Sequence, residues 1–302
     1  MSTAVETPAS FLRKTLASGR IHSGYVISGI GETALNAAID FARAVVCDGE
    51  PTGTRPCEAC RPCQLSGHAG DEVRIDGEGK KGPAFAHVGN HPDLYLVERG
   101  VEDSVIRVEQ VRALQKSMRV GAREGGRRVA IFADAEEMNA NAQNALLRLL
   151  EEPPPETSLL LTTSSVHSLL ATIRSRCIRV PLPAQEVRDL RSPDAPEEVR
   201  EIVARLDEIH GYGIPELLDW AEEYRGRPTL MADPVNELLG TACDWLYERI
   251  RRTVGEGGVS VKPELEAYRA LQRCRRDFSR HNTNSQMTVE RGLFAVRGAI
   301  HS

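Results

Sequence analysis

The sequence predicts an α/β fold, a parallel sheet flanked by helices, followed by an all-helical C-terminal part. Three observations carry this. An apolar run from Tyr25 to Ile27 leads through Gly29 and Gly31 into a helix-period segment with Leu35, Ala38, Ile39, Ala42 and Val46 on one face. Two further apolar runs, Val129 to Phe132 and Leu159 to Leu161, read as buried strands with a helical stretch between them. Beyond residue 197 the pattern is helical throughout.

Strand, glycine turn and helix form the setting of a phosphate-binding P-loop, yet the motif G-x-x-x-x-G-K-[ST] is missing. No lysine lies between Lys14 and Lys80, and Glu32 puts negative charge where phosphate would lie. Gly29, Gly31 and Thr33 are what remains of such a loop, and Thr33 means little without a lysine. The segment reads as a nucleotide-binding architecture that has lost its phosphate grip. The strand at 129–132 ends in Asp134 and Glu136, where a Mg²⁺-holding acid pair would stand; FADAEE lacks two adjacent acids after the apolar run, and Asp134 reads equally well as a helix cap.

The remaining elements follow in order. Residues 9–23 read as an amphipathic helix ended at Gly19. His91–Glu98 is a strand signal, and Val108, Val111, Leu114 and Met118 mark a packing helix. Asn139 or Asn141 caps the helix that Ala145, Leu146, Leu149 and Leu150 pack and Pro153–Pro155 stop. Residues 66–90, rich in glycine and charge, read as a loop, disordered or mobile. Lys80 and Lys81 in it are more simply solvated than bound to phosphate. Residues 181–193 and RGRPTLMADP read as linkers, with two short helices, Glu197–Ile209 and Pro215–Tyr224, between them. Three C-terminal helices close the chain, with Trp245, Leu246 and Ile250 as core, Cys243 and Cys274 as apolar positions, and Arg273, Arg275, Arg276 and Arg280 on a basic face.

Of seven cysteines, four fall at Cys47, Cys57, Cys60 and Cys63. Thiolates at CxxC spacing reach one tetrahedral Zn²⁺ without strain, and four of them make a closed, structural site. A redox pair is the alternative, and His68 is a substitute ligand. With no apolar run near the ~20 residues that span a bilayer and no basic-then-apolar leader, the expected location is the cytoplasm. The net charge of −5 does not announce a nucleic-acid binder, though it leaves a local patch open.

SGRIHSGYVISG, the four-cysteine insert after the first strand–helix unit, HPD, EGGRRVAIFADAEEMNANAQNALLRLLEEPP, LLATIRSRC and the terminal NTNSQMTVERGLFAVR together resemble the delta-prime subunits of bacterial DNA polymerase III clamp loaders, of the AAA+ family. The match covers most of the first 180 residues and the last segment; 184–230 matches loosely. The resemblance implies a RecA-like AAA+ domain at 1–180 with a zinc-binding insert at 47–63, a small helical lid at 181–226 and a helical collar for oligomerisation at 227–302. It implies a ring of five such modules with ATP between neighbours, in which the SRC arginine, here Arg176, reaches the neighbour's ATP. The partners it implies are the gamma/tau motor and delta subunits, the sliding clamp through them, and primer-template DNA. Arg174 and Arg179 are substitutes for Arg176, and a surface arginine is the bland alternative. Where relatives that still bind nucleotide place a lid arginine, this chain has Glu216. A structural Zn²⁺, no bound ATP and no intrinsic catalysis are expected of a non-hydrolysing stator. Two other functions compete: an AAA+ ATPase with its own weak site, and a zinc-bearing nucleic-acid adaptor, although 47–90 holds few aromatic residues for stacking.

Overall fold

In the computed structural model the residues described are 7–29, 33–51, 53–67, 74–76, 83–99, 105–124, 126–183, 189–226, 234–255, 261–281 and 283–301. Two compact units divide the chain, Met1–Gln185 and Glu186–Ser302.

The first unit is built on a seven-stranded sheet. In chain order its strands are β1 (Gly24–Ser28), β2 (Arg74–Asp76), β3 (Pro83–His87), β4 (Leu94–Val97), β5 (Arg128–Phe132), β6 (Thr157–Thr163) and β7 (Ile178–Pro181), arranged β2-β3-β4-β5-β6-β1-β7. From β4 to β7 the pairing is parallel; β2 and β3 join the β4 edge as antiparallel strands. Strands β4, β5, β6 and β1 are buried on both faces, and their side chains alternate between two cores. Tyr25, Ile27, Leu94, Leu96, Val129, Ile131 and Leu160 meet one core with helices α1 (Pro8–Ser18) and α2 (Thr33–Val46). Val26, Tyr95, Val97, Ala130, Phe132, Leu159 and Leu161 meet the other. Helices α4 (Val108–Ser117), α5 (Ala140–Glu151) and α6 (Ala171–Arg174) supply its second layer, α3 being Arg61–Gly67 in the cysteine insert.

Local chemistry sets the helix ends. Thr7 caps α1, and Gly19 closes it in the left-handed conformation at φ 65°. Asn139 rather than Asn141 caps α5, its Oδ1 accepting from the Ala142 amide at 2.8 Å. The loop expected over 66–90 is corrected in part: 74–76 and 83–87 are strands. PAFAH takes half of its pairing from β4, a partner its own composition does not announce. The sequence pattern assigns no element at β7, whose IRVP follows a basic run and pairs with β1.

In the second unit α7 (Glu197–Glu208) and α8 (Ile214–Glu222) share one core with α9 (Pro234–Gly255), α10 (Lys262–His281) and α11 (Ser285–Ile300). Trp220, Trp245, Phe278, Cys243 and Cys274 are buried in it, and the Arg205 guanidinium lies 4.1 Å from the centre of the Trp220 ring.

Candidate functional site

A parallel sheet of this order offers a ligand crevice outside the carboxyl ends of its strands, where the connections diverge. β1 has its neighbours β6 and β7 on either side, so its carboxyl end is that crevice. The groups there are engaged within the chain. The Gly29 amide donates to the Thr163 carbonyl at 3.1 Å, and the Leu182 amide to the Ser28 carbonyl at 2.7 Å. A β-carbon on Gly29 would lie 3.3 Å from Leu182 Cδ1 and 3.5 Å from the Ala34 β-carbon, so the loop starts against an apolar wall. Thr33 opens α2; Gly31 lies outside the described residues. On the β5 side, Asp134 is left-handed at φ 48° and its side chain makes no cap bond to the turn it precedes, against the capping expectation. Its amide donates to Thr162 Oγ1 at 3.1 Å. Glu136 Oε1 accepts from the Ser164 amide and hydroxyl at 2.9 and 2.6 Å, while its Oε2 is buried without a hydrogen-bond partner among the described residues.

Arg176 stands at the other edge of the sheet. It follows α6 and precedes β7, level with the start of β1, whose Tyr25 pairs with Ile178. The five residues of β1 separate the two edges by about 13 Å, at ~3.3 Å per step. Its guanidinium is held: Nη2 pairs with Glu151 Oε1 at 2.8 Å, and Nη1 donates to the Thr172 carbonyl at 3.0 Å and to Ser175 Oγ at 3.4 Å. Arg174 meets His167 at 3.2 Å, and Arg179 is exposed on β7. Burial pushes the Cys177 thiol up to about 12, so it behaves as a small apolar group.

The cysteines converge. The sulfurs of Cys47, Cys57, Cys60 and Cys63 all lie within 4.8 Å of one another. Four thiolates at ~2.3 Å from one ion in a tetrahedron stand ~3.8 Å apart; Cys47 and Cys60 are 3.9 Å apart. Backbone amides of Gly49 and Cys60 point at the sulfurs of Cys47 and Cys57, at 3.3 and 3.4 Å. Donors so placed favour thiolate, and the Cys60 amide chiefly lowers the Cys57 thiol to about 6. Desolvation raises Cys63 to about 12 in the absence of a cation. Four soft donors in one small shell, two with amide donors behind them, could hold a metal ion. His68, Lys80 and Lys81 lie outside the described residues.

Two anchors that the sequence did not single out tie this insert to the sheet. Arg43 on α2 donates to Glu58 Oε2 at 2.6 Å and to Ser66 Oγ at 3.3 Å. The HPD turn does the rest. Asp93, buried, accepts the amides of Arg123 and Glu124 at 2.9–3.0 Å, and Arg61 of the insert meets Glu124 at 3.1 Å. Gly89 is left-handed, with a would-be β-carbon 2.5 Å from the Leu65 carbonyl, and the Asn90 amide donates to that carbonyl at 2.9 Å. A proline-fixed acid just before a strand was the available signal. Glu216, in the first turn of α8, lies in the second unit.

Comparison with known proteins follows this geometry. The chain is 34% identical over 206 residues to the DNA polymerase III subunit delta′ of Pseudomonas aeruginosa, covering 64% of this chain and 56% of that protein. It is 32% identical over 197 residues to the Bacillus subtilis delta′, covering 65% and 52%, and 34% identical over 163 residues to that of Escherichia coli, covering 53% and 42%. The matched region thus spans about half the length of these curated relatives. With the family model for the DNA polymerase III delta subunit matching residues 5–186, the chain belongs to that family.

Proposed function

We propose that this chain is a delta-prime-type stator of a DNA polymerase III clamp loader: a non-hydrolysing subunit that helps load the sliding clamp onto primed DNA and lends Arg176 to a neighbour's ATP. The disposition of the sheet edges carries the proposal. Arg176 lies at the far end of β1 from its own nucleotide crevice, a strand length of about 13 Å, and is partly exposed where a neighbouring subunit can meet it. An arginine there stabilises charge on a transferring γ-phosphoryl group. The stretch that forms the crevice has no lysine to grip phosphate, none lying between Lys14 and Lys80.

The partners in this role are the gamma/tau motor and delta subunits, with primer-template DNA and the clamp engaged through the complex. The C-terminal helices at 227–302 act as the collar and the short helices before them as the lid. Cys47, Cys57, Cys60 and Cys63 hold a structural Zn²⁺. With all four positions filled by sulfur, the ion braces the insert and leaves no open site for chemistry. The work takes place in the cytoplasm; among the described residues no helix is long and apolar enough to cross a membrane.

A weak ATP site of the chain's own has one observation in its favour, the unpartnered Glu136 Oε2 at the crevice. Mixing the chain with gamma/tau and delta subunits of its own organism, followed by size-exclusion chromatography and titration of the isolated chain with Mg-ATP, tests both. Co-elution in one complex without ATP binding by the isolated chain supports the stator. Failure to join sinks it, and saturable ATP binding by the isolated chain brings forward the weak-ATPase alternative.

A further inference from the structure

Helix α5 ends in an electrostatic anomaly. Its last residue is Glu151 and its C-cap is Glu152, two carboxylates against the partial negative charge of the helix's unpaired carbonyls. Such a terminus favours cations, and a partner must offset the cost. Arg176 provides it, with Nη2 2.8 Å from Glu151 Oε1. Taking the trans arginine of the proposed function as its premise, we infer that Glu151 is a positioning residue, which fixes the Arg176 guanidinium for a neighbour's phosphoryl group.

The arrangement is set by the framework rather than by the two side chains alone. Gly24, the first residue of β1, is wedged between the residue before Glu151 and the residue after Arg176. A β-carbon on it would lie 2.9 Å from Leu150 Cδ2, 3.0 Å from Cys177 Sγ and 3.3 Å from the Arg176 carbonyl. The end of α5 and the start of β7 are thereby held at one spacing. Across that spacing the guanidinium is gripped on two sides, by Glu151 at Nη2 and by the Thr172 carbonyl and Ser175 Oγ at Nη1.

Donor arithmetic separates a positioning role from simple sequestration. A guanidinium carries five N–H donors in a rigid fork. Glu151 engages Nη2 through one oxygen, which leaves the second Nη2–H and Nε–H without a hydrogen bond among the described residues. A long side chain that would otherwise sample many rotamers is held with donors to spare, and that is what preorganised charge stabilisation requires. The Arg176 side chain is 37% exposed, so an incoming anion can approach it.

The test is DNA- and clamp-stimulated ATP hydrolysis by the reconstituted loader carrying Glu151→Gln, Glu151→Asp, Arg176→Ala and the double variant Glu151→Gln/Arg176→Ala. Glu151→Gln keeps the shape and removes the charge; kcat should fall about 10-fold with KM for ATP unchanged, as expected for a misplaced catalytic group. Glu151→Asp, which keeps the charge at shorter reach, should fall between that variant and wild type. In the Arg176→Ala background Glu151→Gln should cost nothing more. Loader assembly should match wild type in each case. If Arg176→Ala abolishes turnover while Glu151→Gln leaves kcat intact or raises it, Glu151 does not position the arginine and the trans-arginine proposal stands alone. An equal loss from Glu151→Gln in both backgrounds also overturns the inference. If Arg176→Ala leaves turnover unchanged, the trans arginine falls first and this inference with it.

Discussion

The two edges of one sheet have had opposite fates. At the carboxyl edge the strand-end groups are turned inward: Gly29 donates to Thr163, Leu182 to Ser28, and Glu136 accepts from Ser164. At the amino edge a guanidinium is held half-exposed on a carboxylate and a helix carbonyl, with donors to spare. On the proposed reading the framework loses one chemistry and keeps another, because a parallel sheet separates its edges by the full length of its strands.

The cysteine insert lies after α2, the helix that leads from the carboxyl edge back across the sheet, and it bears on that contrast through stability. The largest effect should come from metal removal. Chelation, or Cys60→Ser, should lower the stability of the first unit by on the order of 5 kcal/mol, since metal binding in such a cluster is folding free energy. Metal content by atomic emission together with thermal unfolding measures it; full occupancy in Cys60→Ser would remove Cys60 from the ligand set.

Next in size is the spacer of the amino edge. Gly24→Ala should destabilise by about 2 kcal/mol through overpacking against Leu150 and the Arg176 carbonyl. Asp93→Ala should cost a similar or smaller amount, about 1–3 kcal/mol, by stranding the amides of Arg123 and Glu124. Denaturant unfolding resolves both, and wild-type midpoints would show that these contacts do not bear on stability.

The smallest effect is one of pH. Burial holds the His91 and His87 imidazoles below their ordinary value. The unfolded chain then takes up protons at a higher pH than the folded one, so stability is fully present above about pH 6.5 and is lost as the pH falls through the depressed folded values. His91→Asn should flatten the change in melting temperature between pH 7 and pH 5. An unchanged slope would exclude His91 as its source.

Much of this contrast was legible in the sequence. Apolar runs at 25–27, 129–132 and 159–161 are strands because parallel strands buried on both faces need continuous apolar residues. The missing lysine was readable because a phosphate grip needs a fixed residue at a fixed place, and the convergence of the four cysteines was readable because their spacing is one that lets sulfurs meet around a single point. Illegible were features fixed by partners elsewhere in the chain. IRVP is a strand only beside β1, and PAFAH, near its partners in the chain, is a strand only between β2 and β4. Asp93 became an anchor only when Arg123 and Glu124 folded over it. The carboxylates ending α5 were visible as an anomaly in LLEEPPP, but their answer, Arg176, lies two elements further along the chain.

The contrast between the edges is tested most directly by one experiment, steady-state ATP hydrolysis by the reconstituted loader, stimulated by primed DNA and clamp, with Arg176→Ala and Thr33→Ala measured side by side. The account predicts that Arg176→Ala lowers kcat by about 10³-fold at the neighbouring site, the lower range for a trans arginine, with the complex intact. Thr33→Ala, at the dismantled edge, should leave the rate at wild type. Equal rates for Arg176→Ala and wild type, or a loss with Thr33→Ala in an intact complex, would contradict it.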